Sequence, residues 1–327
     1  MKDIVDIYET EIFNRYPDVL STLLKDHTTG RNIFWATDSY THLGEGFRFE
    51  DNITIEHIIG TNDMIIRPRA LKNKETQQKR IREMAEVFTP SWICNKQNNL
   101  VDSAWFGREN VFNTEVDNPD GSHTWIPTEG KIVFPKDKPW HEYLSGNRLE
   151  ITCGEAPYLA SRYDTVSGKP IPLNMRIGMV DRKMRLVNEN TTTHEEWMEA
   201  TRIAFQSTYG YEWQGDNIVL AREALLYSFL DYYHDRWGRE PLVQSIQEFA
   251  DIVSWNIWQM DGLKCVIPNS CGLKASSQQL LFDEPKMLAC EGCKTGNIHK
   301  HNGIYCKIKD WSNNEVLTFV SLVKDKD

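Results

Sequence analysis

The spacing of apolar residues predicts helical structure near the start of the chain. Between residues 4 and 25, apolar and aromatic side chains recur mostly at three- and four-residue intervals, as on one face of a helix: Tyr8, Ile12, Tyr16, Leu20, Leu23 and Leu24. Pro17 falls inside this pattern and lacks the backbone N–H that a helix interior needs, so we expect two short helices or a kink. Residues 30–66 alternate more and contain β-branched residues, which predicts a small β element.

From about residue 145 the pattern changes to strands that alternate with helices. The predicted strands are residues 149–152, 208–213 and 253–258, and the predicted helices are residues 195–206, 218–234 and 242–250. Strands joined by helices favour an α/β fold with a doubly wound, mostly parallel sheet, whose ligands bind beyond the carboxyl ends of the strands. We therefore expect an N-terminal α+β extension (1–85) and a cofactor domain (86–327). The long gap between the first two strands predicts an insertion at about 160–195 that forms a lid or hairpin.

Composition and charge restrict the class of protein and its partners. The 327 residues are 40% hydrophobic and 26% charged, which is typical of a soluble globular protein. No apolar run approaches the roughly 20 residues needed to cross a bilayer. The first residues, MKDIVD, are too polar for a secretory signal, so we expect a cytoplasmic protein.

The net charge of -10 argues against a protein that grips DNA over a broad basic face, so any DNA binding is local, weak or shared with another subunit. The one basic stretch is residues 67–82. One interpretation is a solvated helix face. The other is contact with DNA phosphates, for which the candidate residues are Arg67, Arg69, Lys79 and Arg80.

Two short segments carry candidate chemistry in the first part of the cofactor domain. The first is residues 86–90, EVFTP, and the second is residues 150–159, EITCGEAPYL. The second follows a predicted strand, where the chain must turn sharply. Gly154 has no side chain, so a ligand can approach the backbone there.

Two further segments follow at the ends of the next predicted strands. Residues 209–217 read YGYEWQGDN, and residues 256–263 read NIWQMDGL. An acid after the second strand can accept hydrogen bonds from both ribose hydroxyls of a nucleotide, as in dinucleotide-binding folds. Glu212 occupies that position, and Trp213 is placed to stack on an adenine ring.

In this order, the four segments resemble motifs of the N6-adenine DNA methyltransferases of restriction–modification systems, F-[YT]-T-P, D-P-A-C-G-S-G-x-F-L, Y-G-[IVF]-[DE] and N-I-I-x-G-D-[AG]-L. The resemblance covers roughly residues 80–320. It implies a Rossmann-like fold that binds S-adenosylmethionine. It also implies DNA as a partner and a role in restriction–modification or phage defence.

The resemblance also implies roles for individual residues. The 86–90 segment closes over the methionine end of the cofactor, Glu212 binds the ribose, and Asp261 accepts a hydrogen bond from the adenine amino group. Ala156 stands where the family has a second glycine, and we expect its methyl group to narrow the pocket or to remove a left-handed conformation. The implied cofactor-binding residues are Phe88, Thr89, Pro90, Glu150, Cys153, Gly154, Ala156, Glu212, Trp213 and Asp261.

The catalytic motif of this family, [DNS]-P-P-[YFW], does not occur after Asp261. In the family its polar residue and a proline carbonyl accept hydrogen bonds from the target amino group, and its aromatic residue stacks on the flipped base. The catalytic residues are therefore not identified. Three explanations stay open: a fragment of a longer enzyme, one half of a split enzyme whose partner supplies the motif, or a catalytically inactive module that binds DNA, nucleotide or protein.

The chain has seven cysteines, an odd number that favours buried thiols or a metal site over a disulfide framework. Within the segment 290–306, a Cys-x2-Cys pair is followed by two histidines and a cysteine. This composition predicts a structural zinc site. The alternative is a thiol-bearing turn with two surface histidines. The candidate ligands are Cys290, Cys293, His299, His301 and Cys306.

Overall fold

The first third of the chain is mainly helical and irregular. The computed structural model describes residues 7–84, 86–275 and 287–324. The helices here are α1 (Glu9–Arg15), α2 (Pro17–Leu24), α3 (Ile55–Ile58), α4 (Lys74–Met84) and α5 (Ser91–Phe106). Pro17 is the first residue of α2, where its missing N–H needs no partner. The predicted pair of short helices is confirmed.

The β element predicted within residues 30–66 is wrong. This segment forms only the isolated bridges Lys25–Asn32 and Phe34–Asn52, and its β-branched run ends in helix α3. The N–H of Thr54 donates to Nδ1 of His57 at 3.4 Å, a side-chain contact that favours a helical turn at this point. The buried isoleucines Ile33 and Ile53 pack into the core from irregular backbone, and Ile58 packs into it from α3.

A parallel sheet occupies the middle of the chain. The elements in this part are β1 (Asn113–Asp117), β2 (His123–Pro127), α6 (Trp140–Ser145), β3 (Arg148–Ile151), α7 (Met179–Asn190), α8 (His194–Gln206), β4 (Thr208–Glu212), α9 (Gly215–Trp237), α10 (Val243–Asn256) and β5 (Ile257–Gln259). β1 and β2 form an antiparallel hairpin. β3, β4 and β5 pair in parallel, with Glu150 opposite Gly210 and Glu212 opposite Gln259. The predicted alternation of helices and parallel strands is confirmed.

The sheet is not doubly wound over the part of the chain that the structure describes. Its strands lie in chain order, β3-β4-β5, without the reversal that a doubly wound sheet requires. Such an order corresponds to one half of a doubly wound sheet. After β5 the chain turns back through the bridges Asp261–Val266 and Val266–Tyr305, so no described strand crosses to the free edge of β3.

The predicted helices are confirmed in α8, α9 and α10, but the third strand is shorter than predicted. Residues 253–256 belong to α10, where Val253 is buried. The side-chain amide of Asn256 donates to the carbonyl oxygens of Phe205 and Thr208 at 2.9 and 3.0 Å. These bonds fasten the end of α10 to the segment that enters β4, and the strand begins only after them.

One hydrophobic core joins the N-terminal helices to the sheet. α2 packs against α10, and buried residues of both belong to the same apolar cluster as α7, α8 and α9. Within the predicted insertion, residues 160–178 are largely irregular, whereas α7 buries Met179, Met184 and Val187 in this core. The prediction of a lid or hairpin is therefore wrong for α7, because this helix belongs to the core.

The C-terminal part covers the other face of β4 and β5. Its elements are β6 (Lys274–Ala275), β7 (Met287–Leu288), α11 (Glu291–Thr295), β8 (Lys307–Asp310) and β9 (Glu315–Thr318). A second apolar cluster includes Tyr211, Trp258, Cys306 and Ile308. Side chains alternate along a strand, so Tyr211 and Trp258 point away from the main core. Among the described helices, none has the length and apolar character to pass through a bilayer.

Candidate functional site

A cavity of about 800 Å³ opens at the carboxyl ends of β3 and β4. Its walls come from four stretches of chain, within residues 36–49, 79–89, 150–158 and 212–217. Ligands of parallel α/β sheets bind at this edge, and the volume is in the range of small-molecule sites. The structure brings together most of the predicted cofactor residues here: Phe88, Thr89, Glu150, Cys153, Gly154, Glu212 and Trp213.

The loop after β3 has an unusual backbone. Thr152, Gly154 and Ala156 have φ angles of +47°, +53° and +59°, so every second residue is left-handed. Glycine adopts this conformation freely, whereas a β-branched threonine does so rarely. Strained backbone of this kind is concentrated at functional sites and indicates that the surrounding contacts hold the loop in place.

Ala156 does not have the effect that we expected from the sequence. It keeps the left-handed conformation, and its methyl group is completely buried in the main core. It does not line the cavity. Both expectations for Ala156, a narrowed pocket and a lost left-handed conformation, are wrong, because its Cβ points into the protein interior.

Glu212 ends β4 and holds the neighbouring loops. Its carboxylate accepts hydrogen bonds from the backbone N–H of Gly154 at 2.9 Å and of Gln214 at 3.2 Å. Burial raises the pKa of Glu212, and these N–H groups oppose the rise. Each carboxylate oxygen has a second acceptor position, so the group can still accept hydrogen bonds from a ligand.

Glu150 is the penultimate residue of β3 and lines the same cavity as Glu212. Burial raises the pKa of Glu150 well above its ordinary value, while the N–H groups of Tyr158 and Leu159 act in the opposite direction. Its Oε2 atom has no hydrogen-bond partner among the described residues. Two carboxylates with raised pKa values thus meet at this edge of the sheet, and a cationic ligand would relieve the cost of their charge.

The 86–90 segment contacts the loop after β3 through an aromatic ring. A Cβ atom placed on Gly154 would lie 3.4 Å from Cε1 of Phe88, so the ring lies directly over the glycine. The carbonyl oxygen of Thr89 accepts a hydrogen bond from the Thr165 hydroxyl at 3.1 Å. Pro90 precedes the first residue of α5 and does not line the cavity.

Asp261 is buried outside the cavity lining. One of its carboxylate oxygens accepts from the N–H of Leu263 at 3.1 Å, and the other lies 3.0 Å from Nζ of Lys264. This carboxylate stabilises the turn that follows β5. The structure therefore does not bring Asp261 together with the other predicted cofactor residues.

Arg80 lies in a buried polar network. Its guanidinium is 2% exposed, pairs with Glu86 and lies 2.9 Å from Oδ2 of Asp216. It also donates to Oε1 of Gln214 at 2.5 Å. A guanidinium enclosed in this way cannot reach a DNA phosphate, so the phosphate interpretation is wrong for Arg80.

Asp216 is the acid at the centre of this network, and sequence reasoning missed it. The Tyr40 hydroxyl donates to its Oδ2 at 2.7 Å, and Nζ of Lys72 lies 3.4 Å away. Burial alone would raise the pKa of Asp216, but Arg80 and Lys72 hold it well below its usual range. The position of Asp216 in the first turn of α9, where helices favour acids, was the only available signal.

The other basic candidates remain accessible. Arg67 is exposed and donates to the carbonyl oxygen of Met64. The guanidinium carbon of Arg69 lies 5.4 Å from the centre of the Phe88 ring. Lys79 is exposed and lines the cavity. Contact between these three residues and DNA stays a prediction.

Glu155 is a second residue that sequence reasoning missed. Its carboxylate accepts from the N–H of Arg69 at 2.6 Å and from the Tyr163 hydroxyl at 2.7 Å. Burial raises the pKa of Glu155 to about 7, against the opposing effect of Lys72. This buried acid links the loop after β3 to the basic segment.

The cysteine-rich segment forms a candidate metal centre. Cys271, Cys290, Cys293 and His301 place their Sγ and Nδ1 or Nε2 atoms within 4.8 Å of one another. Three of these residues were predicted from the sequence. Cys271 was missed because it lies far from the Cys-x2-Cys pair along the chain.

Two predicted metal ligands lie outside this group. Cys306 is completely buried in the second apolar cluster, where its Sγ lies 3.4 Å from the carbonyl oxygen of Gln259. His299 is exposed in a short turn, and its N–H donates to Oδ1 of Asn297. The predicted set is therefore wrong in these two members.

Known proteins supply no assignment for this arrangement. No protein-family model, curated protein or solved structure matches the chain.

Proposed function

We propose that this chain is the S-adenosylmethionine-binding component of an N6-adenine DNA methyltransferase in a restriction–modification or phage-defence system. The observation that carries the proposal is the shared cavity. Residues from three separate motif segments, 86–90, 150–159 and 209–217, line one cavity at the carboxyl ends of two adjacent parallel strands. Short motifs that match by chance have no reason to converge in this way.

The charge of the cavity supports a cationic ligand. Among the described residues that line it, Lys79 is the one cation and five are acids: Asp38, Glu83, Glu86, Glu150 and Glu212. Glu86 is already paired with Arg80, and burial raises the pKa values of Glu150 and Glu212, so the negative charge of the cavity is smaller than this number of acids suggests. S-adenosylmethionine carries a sulfonium and an ammonium group against one carboxylate. Nucleotides such as ATP and NAD carry phosphates, which these acids would repel. The acidic lining therefore favours the sulfonium cofactor among the adenosine-containing ones.

In the proposed complex each end of the cofactor meets a different segment. The free acceptor positions of Glu212 bind the ribose hydroxyls, and Trp213 stacks on the adenine ring. The loop around Gly154 and the ring of Phe88 enclose the methionine end. The bound cofactor supplies an electrophilic methyl group, and the protein's contribution is to orient it and exclude water.

Transfer to adenine N6 needs groups that accept hydrogen bonds from the amino group of a flipped base. The [DNS]-P-P-[YFW] sequence is absent from the 327 residues. We therefore assign catalysis to this chain only together with a partner or with further polypeptide. DNA is engaged in that assembly, consistent with the net charge of -10. The proposed cofactor set is S-adenosylmethionine with a structural zinc ion at the Cys271, Cys290, Cys293 and His301 cluster.

Calorimetric titration of the full chain with S-adenosylmethionine tests the proposal. We expect saturable binding by the wild type and no binding of ATP or NAD. Glu212→Gln should weaken binding about tenfold or more, since a ribose contact to a charged acceptor is lost. Trp213→Ala should also weaken it, whereas the exposed Glu199→Gln should not. Asp261→Asn should retain binding, because this carboxylate lies outside the cavity lining.

Failure of a cooperatively folded wild type to bind S-adenosylmethionine would overturn the cofactor assignment. The alternative function is then a catalytically inactive methyltransferase-like module that binds DNA, nucleotide or protein. The bond between Gly154 and Glu212 is the observation that favours that alternative, because it already uses one acceptor position of the carboxylate that a ribose would need.

A further inference from the structure

We infer that Cys271, Cys290, Cys293 and His301 form a closed tetrahedral zinc centre, with His301 coordinating through Nδ1. We further infer that this centre fixes the chain after β5 against the face of the sheet that carries Tyr211 and Trp258. Such a centre can form whether or not the cavity binds S-adenosylmethionine.

The distances between the ligand atoms match those around a zinc ion. Nδ1 of His301 lies 3.5 Å from Sγ of Cys271, 3.5 Å from Sγ of Cys290 and 3.6 Å from Sγ of Cys293. Zn–S bonds of about 2.3 Å and Zn–N bonds of about 2.0 Å at a tetrahedral angle place sulfur and nitrogen about 3.5 Å apart. All three cysteines are free of disulfide bonds.

Two glycines near the cluster, Gly292 and Gly303, have no room for a side chain. A Cβ on Gly292 would lie 2.6 Å from the backbone nitrogen of His301 and 2.7 Å from its ring. A Cβ on Gly303 would lie 2.9 Å from Sγ of Cys271. Both glycines therefore allow the ligand-bearing segments to approach closely, as a compact metal centre requires.

Hydrogen bonds within the protein hold the candidate ligands in position. The N–H of Asn302 donates to Sγ of Cys290 at 3.3 Å, a contact that favours the thiolate form needed for coordination. The side chain of Asn302 accepts from the N–H of Gly272 and donates to its carbonyl oxygen. The N–H of His301 donates to the Tyr305 hydroxyl at 2.9 Å. The two segments that carry the ligands are thus joined beside the cluster.

The donor set identifies the ion and its role. Three thiolates and an imidazole suit zinc and other soft or borderline metals, whereas magnesium and calcium prefer oxygen. Four protein ligands leave no coordination position for water or substrate, so the centre is structural.

The centre is connected to the sheet through the chain on either side of it. The N–H of Cys306 donates to the carbonyl oxygen of Cys265 at 3.0 Å, and the N–H of Ile267 donates to that of Ile304 at 2.8 Å. Cys265, Ile267 and Cys306 belong to the second apolar cluster, together with Tyr211 of β4 and Trp258 of β5. The two hydrogen-bonded segments therefore pack against the face of the sheet that carries Tyr211 and Trp258. Loss of the ion should therefore loosen the covering of this face, away from the cavity.

Metal analysis of the full chain, purified without chelators, tests the inference. We expect about one zinc ion per chain. Cys271→Ser, Cys293→Ser and His301→Asn should each lower the zinc content severalfold. The matched controls are His299→Asn and Cys306→Ala, which change the predicted residues outside the cluster and should keep the zinc. Cobalt substituted for zinc should give the intense visible absorption of a tetrahedral thiolate site.

A wild-type chain that carries little zinc and gains no such cobalt spectrum would overturn the inference. So would loss of zinc in His299→Asn or Cys306→Ala together with its retention in Cys271→Ser. Variants that fold poorly do not decide the matter alone, because the cobalt spectrum of the wild type reports the ligand set directly. Titration of the zinc-loaded chain with S-adenosylmethionine separates the two proposals, since either site can be present without the other.

Discussion

The backbone N–H of Gly154 donates a hydrogen bond to the carboxylate of Glu212, with 2.9 Å between the nitrogen and Oε2. Gly154 follows β3, and Glu212 is the last residue of the adjacent parallel strand β4, 58 positions further along the chain. The bond joins the two loops that form the floor of the cavity. It is one of the contacts that hold the left-handed loop around Gly154 in place.

Removal of the Glu212 carboxylate should destabilise the fold. Glu212→Ala leaves the half-buried N–H of Gly154 and the buried N–H of Gln214 without their acceptor, at a cost of about 1–3 kcal/mol in the free energy of unfolding. Glu212→Gln keeps one acceptor oxygen and should cost less. Urea unfolding monitored by circular dichroism measures both values. Equal stability of Glu212→Ala and the wild type would mean that the bond is absent in solution.

Gly154→Ala should lower both stability and cofactor binding. Its φ of +53° strains an alanine by about 1 kcal/mol or more, although the new Cβ would meet only the Phe88 ring at 3.4 Å. Gly238→Ala is the matched control, because Gly238 has φ of +63° and nothing within 4 Å of an added Cβ. Thermal unfolding should show a similar decrease in melting temperature for both variants. Only Gly154→Ala should weaken binding of S-adenosylmethionine, and a parallel loss in Gly238→Ala would assign the effect to global stability.

Arg80 and its neighbour Lys79 should respond very differently to the same substitution. Arg80→Gln leaves Asp216 buried without its main counter-charge, which typically costs about 3–5 kcal/mol. Lys79→Gln changes a side chain that is 56% exposed and should cost less than about 0.5 kcal/mol. Chemical denaturation compares the two. A small cost for Arg80→Gln would contradict the buried network. The loss of unfolding free energy in Arg80→Gln should also change little with salt concentration, because salt screens buried ion pairs poorly.

The stability of the protein should depend on pH through Glu155. Its pKa is raised by burial from 4.5 to about 7, so its stabilising contribution is complete below pH 4.5 and lost as the pH rises towards 7. The free energy of unfolding should fall by about 3 kcal/mol over this pH range. Glu155→Gln should flatten the fall in unfolding free energy between pH 4.5 and 7. The exposed Glu75→Gln serves as the control, and a Glu155→Gln curve as steep as that of the wild type would refute the assignment.

The local elements of the fold could be predicted from the sequence. α8, α9 and α10 have long apolar patterns at helical spacing, and Pro17 divides α1 from α2, since these signals act within a few residues. The strand before Ile257 was misplaced because Val253 and its neighbours are buried, and short apolar runs do not distinguish a strand from a buried helix end. The β-branched residues around Ile53 failed as a strand signal for a related reason, since Ile53 packs from irregular backbone and Ile55 already belongs to α3.

The candidate sites were predicted to the extent that their signals are local. The sequence by itself determined the acids and glycines of the motif segments and the Cys-x2-Cys pair, because these depend on neighbouring residues. Only the tertiary structure decided that Arg80 is buried against Asp216 and that Asp261 lies outside the cavity lining. It also decided that Cys271, and neither His299 nor Cys306, joins Cys290, Cys293 and His301 in the candidate metal cluster. Burial, charge pairing and ligand geometry depend on residues that the fold brings together from distant parts of the chain. The spacing of residues along the chain therefore cannot predict them.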